Sequence, residues 1–117
     1  MDYLQEFVLE SELESIIRHL VAQSKFRIND NHILNHRGYR GFSIEEVQHA
    51  LKNGFLYKLQ KPHRALWGYS VEPSQDLIVL SLWILDKNGE FALDWHKSGS
   101  MVIDLIYVKT AYRKALS

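Results

Sequence analysis

Cysteine is absent from the 117 residues, proline occurs twice and glycine six times. Without cysteine there is no disulfide framework, no thiolate zinc site and no thiol nucleophile, a composition that fits a reducing compartment. With so little proline and glycine there is no linker, and no repeat or low-complexity tract is present, so residues 1–117 are expected to form a single domain. Gly38, Gly41 and Gly54 are too scattered for a phosphate-binding loop and fit turns and caps instead. No apolar run approaches the roughly 20 residues that cross a bilayer. The acidic, amphipathic start is unlike the basic start of a signal peptide, so a cytoplasmic, non-membrane protein is expected. Net charge is also lacking: 14 basic and 14 acidic side chains cancel, leaving none of the overall basic surplus of typical nucleic-acid binders.

What is present is a normal globular composition, 46% apolar and 24% charged, with an uneven charge distribution. Residues 1–24 carry Asp2, Glu6, Glu10, Glu12 and Glu14 against Arg18 alone, a net of −4. Residues 25–64 carry Lys25, Arg27, Arg37, Arg40, Lys52, Lys58, Lys61 and Arg64 against Asp30, Glu45 and Glu46, a net of +5, together with His32, His36, His49 and His63. Residues 65–117 are near balance. A local basic patch collects anionic ligands despite zero net charge; its bland counterpart is a solvated face.

Leu4, Phe7, Val8, Leu13, Ile16, Ile17, Leu20 and Val21 recur at three and four residues and predict an opening helix, with a restart at the Ser11/Glu14 capping box. A second helical piece is expected around Asn31–His36. The Ser43/Glu46 capping box opens a further helix through Val47, Ala50 and Leu51, closed by Gly54. The period then changes. Phe55–Leu59, Ala65–Val71, Leu77–Leu85, Phe91–Trp95 and Met101–Val108 read as strands, with a hairpin turn at Asp86-Lys87-Asn88-Gly89 and a helical or irregular tail over Thr110–Leu116. Residues 1–54 are thus mainly helical and 55–109 an antiparallel sheet, an α+β domain with N-terminal helices packed on one face of the sheet.

His32 and His36 are four apart and would share a helix face, but the stretch lacks the glutamate of a zinc-protease motif, and a third ligand such as His63 or Asp30 would have to come from elsewhere. Free polar histidines, with no metal and no cofactor, are the expectation. Trp67, Trp83, Trp95 and the tyrosines in or beside strands are expected to pack in the core or across strands, base stacking on an exposed sheet being the less favoured reading. No Ser/His/Asp set is visible by spacing.

The most specific signal is composite. His32, His36, Arg40-Gly41-Phe42-Ser43, Val47 and Gly54 follow one another at spacings that resemble a pattern of small RelE-type toxin domains, within the barnase/EndoU/colicin/RelE group of ribonucleases. Ile106-Tyr107-Val108-Lys109-Thr110-Ala111-Tyr112 resembles the terminal strand of many toxins of that group. His36, followed by Arg37, stands where the family has its first arginine, and Arg113 where it has a proline. The resemblance implies short helices followed by a curved antiparallel sheet, a metal-independent endoribonuclease acting on tRNA or mRNA, and His32, Arg40, Thr110 and Tyr112 as catalytic residues lining one cleft. It also implies a cognate immunity or antitoxin protein as partner.

Those residue types suit the chemistry. Histidine takes acid and base roles because its pKa lies near neutrality. Arginine presents a planar donor fork to phosphate oxygens. Thr and Tyr hydroxyls hold a phosphate, and Tyr also stacks on bases. His36, Arg37, Lys58, Lys61, His63 and Arg64 are the expected RNA-binding residues, forming a basic surface away from the acidic first helix. The structural counterparts are a polar helix-face residue for His32 and strand-end packing for Thr110 and Tyr112. The neutral total and acidic first helix also suit a different class, a non-catalytic immunity, antitoxin or phage-encoded inhibitor that offers carboxylates to a basic cleft.

Overall fold

A computed structural model describes residues 3–29, 43–71 and 76–115, with the side chains of residues 3–8 and 100 left aside. The second helical piece expected around Asn31–His36, and with it His32, His36, Arg37 and Arg40, lies outside the described residues.

Helix α1 spans Tyr3–Ala22 without a restart at Ser11. Leu9, Leu13, Ile17, Leu20 and Val21 are buried at helical spacing through the position where the capping box was expected. Glu14 does not fold back to cap; its carboxylate instead accepts the Leu56 backbone N–H at 2.9 Å. The helix ends where Ser24 takes a φ of 61° and Lys25 N–H returns to the Leu20 carbonyl at 2.8 Å. Strand β1 (Phe26–Ile28) follows and was not foreseen, since three residues carry no readable period. Helix α2 (Ile44–Asn53) has the expected capping box, Ser43 Oγ accepting the Glu46 N–H while the Glu46 carboxylate accepts the Ser43 N–H.

Strands β2 (Phe55–Lys61), β3 (Arg64–Val71), β4 (Asp76–Leu85) and β5 (Leu105–Lys114) complete a five-stranded sheet of order β1-β5-β4-β3-β2. The expected antiparallel sheet is corrected to a mixed one: β2 to β5 are antiparallel, but β1 pairs parallel with β5. The chain leaves α1 beside β5, with Ile106 N–H donating to the Lys25 carbonyl and Asn29 N–H to that of Val108.

Three further expectations are corrected. Phe91–Trp95 is not a strand: Phe91 forms one isolated bridge to Leu85, and Trp95–Ser98 is a short helix, α3. The Asp86–Gly89 turn does form, with Gly89 at a φ of 78° and Asp86 Oδ1 accepting the Asn88 and Glu90 N–H groups. The returning arm, however, finds β4 already paired with β3 up to Trp83, so only its last residues offer an open slot. Trp95 then turns inward, fully buried, its Nε1–H donating to the Pro62 carbonyl at 2.6 Å. Met101–Val108 is a strand only from Leu105; Ser100–Val102 is a 3-10 turn with Met101 almost wholly exposed. The tail Thr110–Leu116 is strand through Lys114, because Ala111 alternates into the core and pairs with Leu80.

Among the described residues the sheet has a helical and a helix-free face. Side chains alternate along a strand, and Ile78, Leu80, Leu82 and Ile84 of β4 join the core with Leu13, Ile17, Val47 and Leu51 of the helices. Ser81 and Trp83, with Leu77 and Val79, therefore point to the other side. Trp67 closes the helical side, its Nε1–H donating to the Ala50 carbonyl at 3.2 Å. There Gly54 is required: a Cβ on it would lie 2.3 Å from the Gly68 carbonyl oxygen and 2.6 Å from that of Ala50.

Candidate functional site

Strand register lays out the helix-free face in cross-strand rows, about 7 Å apart along each strand. One row is Arg64, Trp83 and Tyr107. The next is Lys58, Leu66, Ser81 and Thr110. The third is Phe55, Gly68, Val79 and Tyr112, and the fourth contains Ser70, Leu77 and Lys114. A bulge inserts Lys109 between Val108 and Thr110, and another inserts Tyr57 between Leu56 and Lys58.

Of the residues singled out in the sequence, Thr110, Tyr112, Lys58 and Arg64 are thus placed on one face. Lys61 pairs with Arg64 at the end of β2, and His63 lies in the intervening turn. The acidic helix α1 packs on the opposite face, through the core. The convergence of His32 and Arg40 with Thr110 and Tyr112 falls outside the described residues.

The face is basic in a way that net charge hides. Strands β2 to β5 contain Lys58, Lys61, Arg64, Lys109, Arg113 and Lys114 against one carboxylate, Asp76. Of these, Arg113 pairs with Ile78 and so belongs to the helical side. Three of the remaining five stand over rings. Lys109 Nζ lies 4.7 Å from the Trp83 ring centroid, Arg64 Cζ 5.2 Å from that of Phe91, and Lys114 Nζ 5.2 Å from that of Tyr57. Lys114 also donates to the Tyr57 hydroxyl at 2.9 Å, which raises its pKa above the ordinary lysine value. Trp83 meets Phe91 edge-on at 5.1 Å and Tyr107 at 5.5 Å between centroids, and His63 leans on Phe91 at 4.9 Å.

His63 is held neutral. Burial, then the Arg64 and Lys61 charges, push its imidazole below the ordinary histidine value. Its Nδ1 is shut off from solvent with no hydrogen-bond partner among the described residues. His49 is spent differently: its Nε2 lies 2.9 Å from the Tyr69 hydroxyl and its Nδ1 3.3 Å from the Asn53 amide, on the helical side. Among the described residues no group of three or more His, Asp or Glu side chains is placed to hold a metal ion, and no helix is long and apolar enough to cross a membrane.

Sequence reasoning missed Tyr57, Trp83, Phe91, Tyr107, Lys109 and Lys114 as members of one surface. The signal was available in the shortage of carboxylates across all four long strands, and in the alternation of Trp83 with Leu82 and Ile84. Strand aromatics are usually packing groups, and Trp67 and Trp95 are such groups, both fully buried. Trp83 is only partly buried, on the other face. Comparison with protein-family models, with curated proteins and with solved structures gives no match.

Proposed function

We propose that the protein is a toxin-type, metal-independent endoribonuclease that takes tRNA or mRNA on the helix-free face of its sheet. The observation that carries this reading is the co-location of Thr110, Tyr112, Lys58 and Arg64 with ring-parked cations on a face whose strands carry almost no carboxylate. Cations supply the phosphate-directed attraction and partly buried rings the base contacts that single-stranded nucleic acid uses.

In the reaction a base, His32 or a neighbouring histidine, takes the ribose 2′-hydroxyl proton, and the 2′-oxygen attacks the adjacent phosphorus. The bond from phosphorus to the 5′-oxygen breaks, leaving a cyclic phosphate, and an acid returns a proton to the departing 5′-oxygen. Arg40 with the Thr110 and Tyr112 hydroxyls stabilises the charge that builds on the phosphorane oxygens. The fold assignment to the RelE-like group belongs to the same proposal, as do a cytoplasmic site of action and an immunity or antitoxin protein that covers this face.

The experiment is cleavage of bulk RNA, tRNA included, by purified protein with and without chelator. His32→Ala is expected to keep the wild-type circular dichroism and lose about 100-fold in rate, with chelator without effect. A folded His32→Ala protein with full activity moves the role to His36 or His63. No cleavage of any RNA by the wild type removes the enzyme and favours the second reading, an immunity protein, antitoxin or inhibitor. That reading draws on Glu12, exposed on α1 at the opposite side of the sheet from the cations. Glu14, by contrast, is consumed inside the fold by Leu56 N–H and Arg18.

A further inference from the structure

We propose that Trp83, walled by Tyr107 and Phe91, is a stacking site for an unpaired nucleobase lying one row from the phosphate held at Thr110. This rests on the RNA reading above and adds to it a place for a base and a reason for strand selectivity.

Three observations converge. First, Trp83 is the tryptophan that the core does not enclose: Trp67 and Trp95 are fully buried with their indole N–H groups bonded, whereas Trp83 is only partly buried, on the helix-free face. Second, its neighbours are fixed by strand pairing. Tyr107 is its cross-strand partner, and Phe91 meets its edge at 5.1 Å, anchored by the bridge to Leu85. Third, the ring carries Lys109, an exposed lysine thrown outward by the β5 bulge, with Nζ 4.7 Å from the centroid.

A solvent-exposed cation over a ring is weakly held. A base sliding onto the indole displaces the lysine stem, and the ammonium is then free to follow the phosphate attached to that base. Arg64, resting on Phe91 at 5.2 Å, is the matching cation on the other side of the cluster. Ring and cation together fit one nucleotide, the ring for the base and the cation for its phosphate. The bulge also fixes the register, because Lys109 directly precedes Thr110. A base on Trp83 therefore brings its neighbouring phosphate toward the Ser81–Thr110 row, about 7 Å away. Bases inside a duplex have both faces occupied and cannot stack here, so the site selects single-stranded segments, loops or ends.

The test is intrinsic tryptophan fluorescence of the full chain titrated with a short single-stranded oligoribonucleotide, and separately with a blunt RNA duplex. Since Trp67 and Trp95 are sealed in the core, quenching reports on Trp83. The single strand is expected to quench and the duplex not to. In parallel, anisotropy of the labelled single strand is expected to show about tenfold or more weaker binding for Trp83→Ala and near wild-type binding for Trp83→Phe, which keeps a stacking ring. Circular dichroism checks that each variant folds, and wild-type quenching stands as evidence independent of any variant. Unquenched fluorescence with the single strand bound overturns the stacking site while leaving RNA binding intact. Equal loss in the Ala and Phe variants also overturns it, pointing to packing. If the wild type binds no RNA at all, both this site and the reading beneath it fall.

Discussion

Salt dependence separates the local from the global charge of this protein, and the structure gives its size. By net charge the protein is neutral, and a long-range argument predicts association with RNA that hardly changes with ionic strength. By register, Lys58, Lys61, Arg64, Lys109 and Lys114 stand on the helix-free face or its rim, while α1 with its carboxylates lies across the core. Exposed charges separated by more than the Debye length of about 10 Å at 0.1 M salt are largely screened, so the acidic helix does not cancel the face. Each phosphate neutralised on a single strand contributes about 0.7 to the slope of log affinity against log salt. If about four of these cations engage phosphates, the slope is roughly −3, and raising salt from about 50 to about 200 mM weakens binding by roughly 50-fold. The assay is anisotropy of a labelled single-stranded oligoribonucleotide across that range. Lys58→Ala is expected to flatten the slope by about 0.7, and Glu12→Gln, on the far side, to leave it unchanged. A slope shallower than about 1, or an equal effect of the two substitutions, would refute the assignment of this face.

The other predictions concern the frame behind the face. Gly54→Ala places a methyl group 2.3 Å from the Gly68 carbonyl oxygen and 2.6 Å from both the Ala50 oxygen and Trp67 Nε1. With no flexible side-chain end to yield, the variant is expected to lose about 3 kcal/mol in urea unfolding; a loss below about 1 kcal/mol would mean that α2 and β3 part easily to admit the methyl group. His63 is held below its ordinary value of 6.5, so the unfolded chain takes up a proton before the folded one does. Its contribution to stability is therefore intact above about pH 6.5, declines as pH falls below that value and is fully lost below the folded-state pKa. The urea midpoint of His63→Asn is expected to fall less than that of the wild type between about pH 7.5 and pH 5; equal falls would assign the acid sensitivity to other groups.

The legible parts of this fold were those where local chemistry and tertiary packing agree. The Ser43/Glu46 box, the stop at Gly54 and the Asp86–Gly89 turn are all short-range devices, and each is found in place. What failed needed knowledge of neighbours. Ser11 with Glu14 is chemically as good a box as Ser43 with Glu46, but the free edge of β2 competes for Glu14 and wins it. Phe91–Trp95 has the composition of a strand, and lost its partner because β3 had filled the slot. β1 exists only because β5 offers an edge beside the end of α1. On the candidate site, the same limit applies. The cations Lys58, Lys61 and Arg64 were visible as a cluster in sequence, whereas Lys109 and Lys114 join them only through the pairing of β4 with β5.

The helix-free face is also part of the fold. Leu77 and Val79 point to that side, yet they are 4% and 0% exposed with no helix above them among the described residues. Among the described residues, the face itself supplies cover. Gly68, beside Val79, has no side chain, and a Cβ there would meet the Phe55 ring at 3.2 Å and the Tyr57 Cβ at 3.3 Å, so those aromatics of the edge strand fold over it. Tyr112 flanks Val79 from β5, and Lys114 ties its neighbour row to Tyr57 across the sheet. The rows of Val79 and Leu77 are thus closed by side chains that hold one another, while among the described residues the Trp83 row has a lysine over its indole beside the Tyr107 and Phe91 rings. Packing accounts for the first arrangement, since it removes apolar area from water. It does not account for the second, because an exposed lysine buries little of an indole and a leucine at that position would cover it better. A face that seals one end with hydroxyl-bearing rings and leaves the other end under a displaceable cation is suited to receiving a ligand from the Trp83 end toward Thr110.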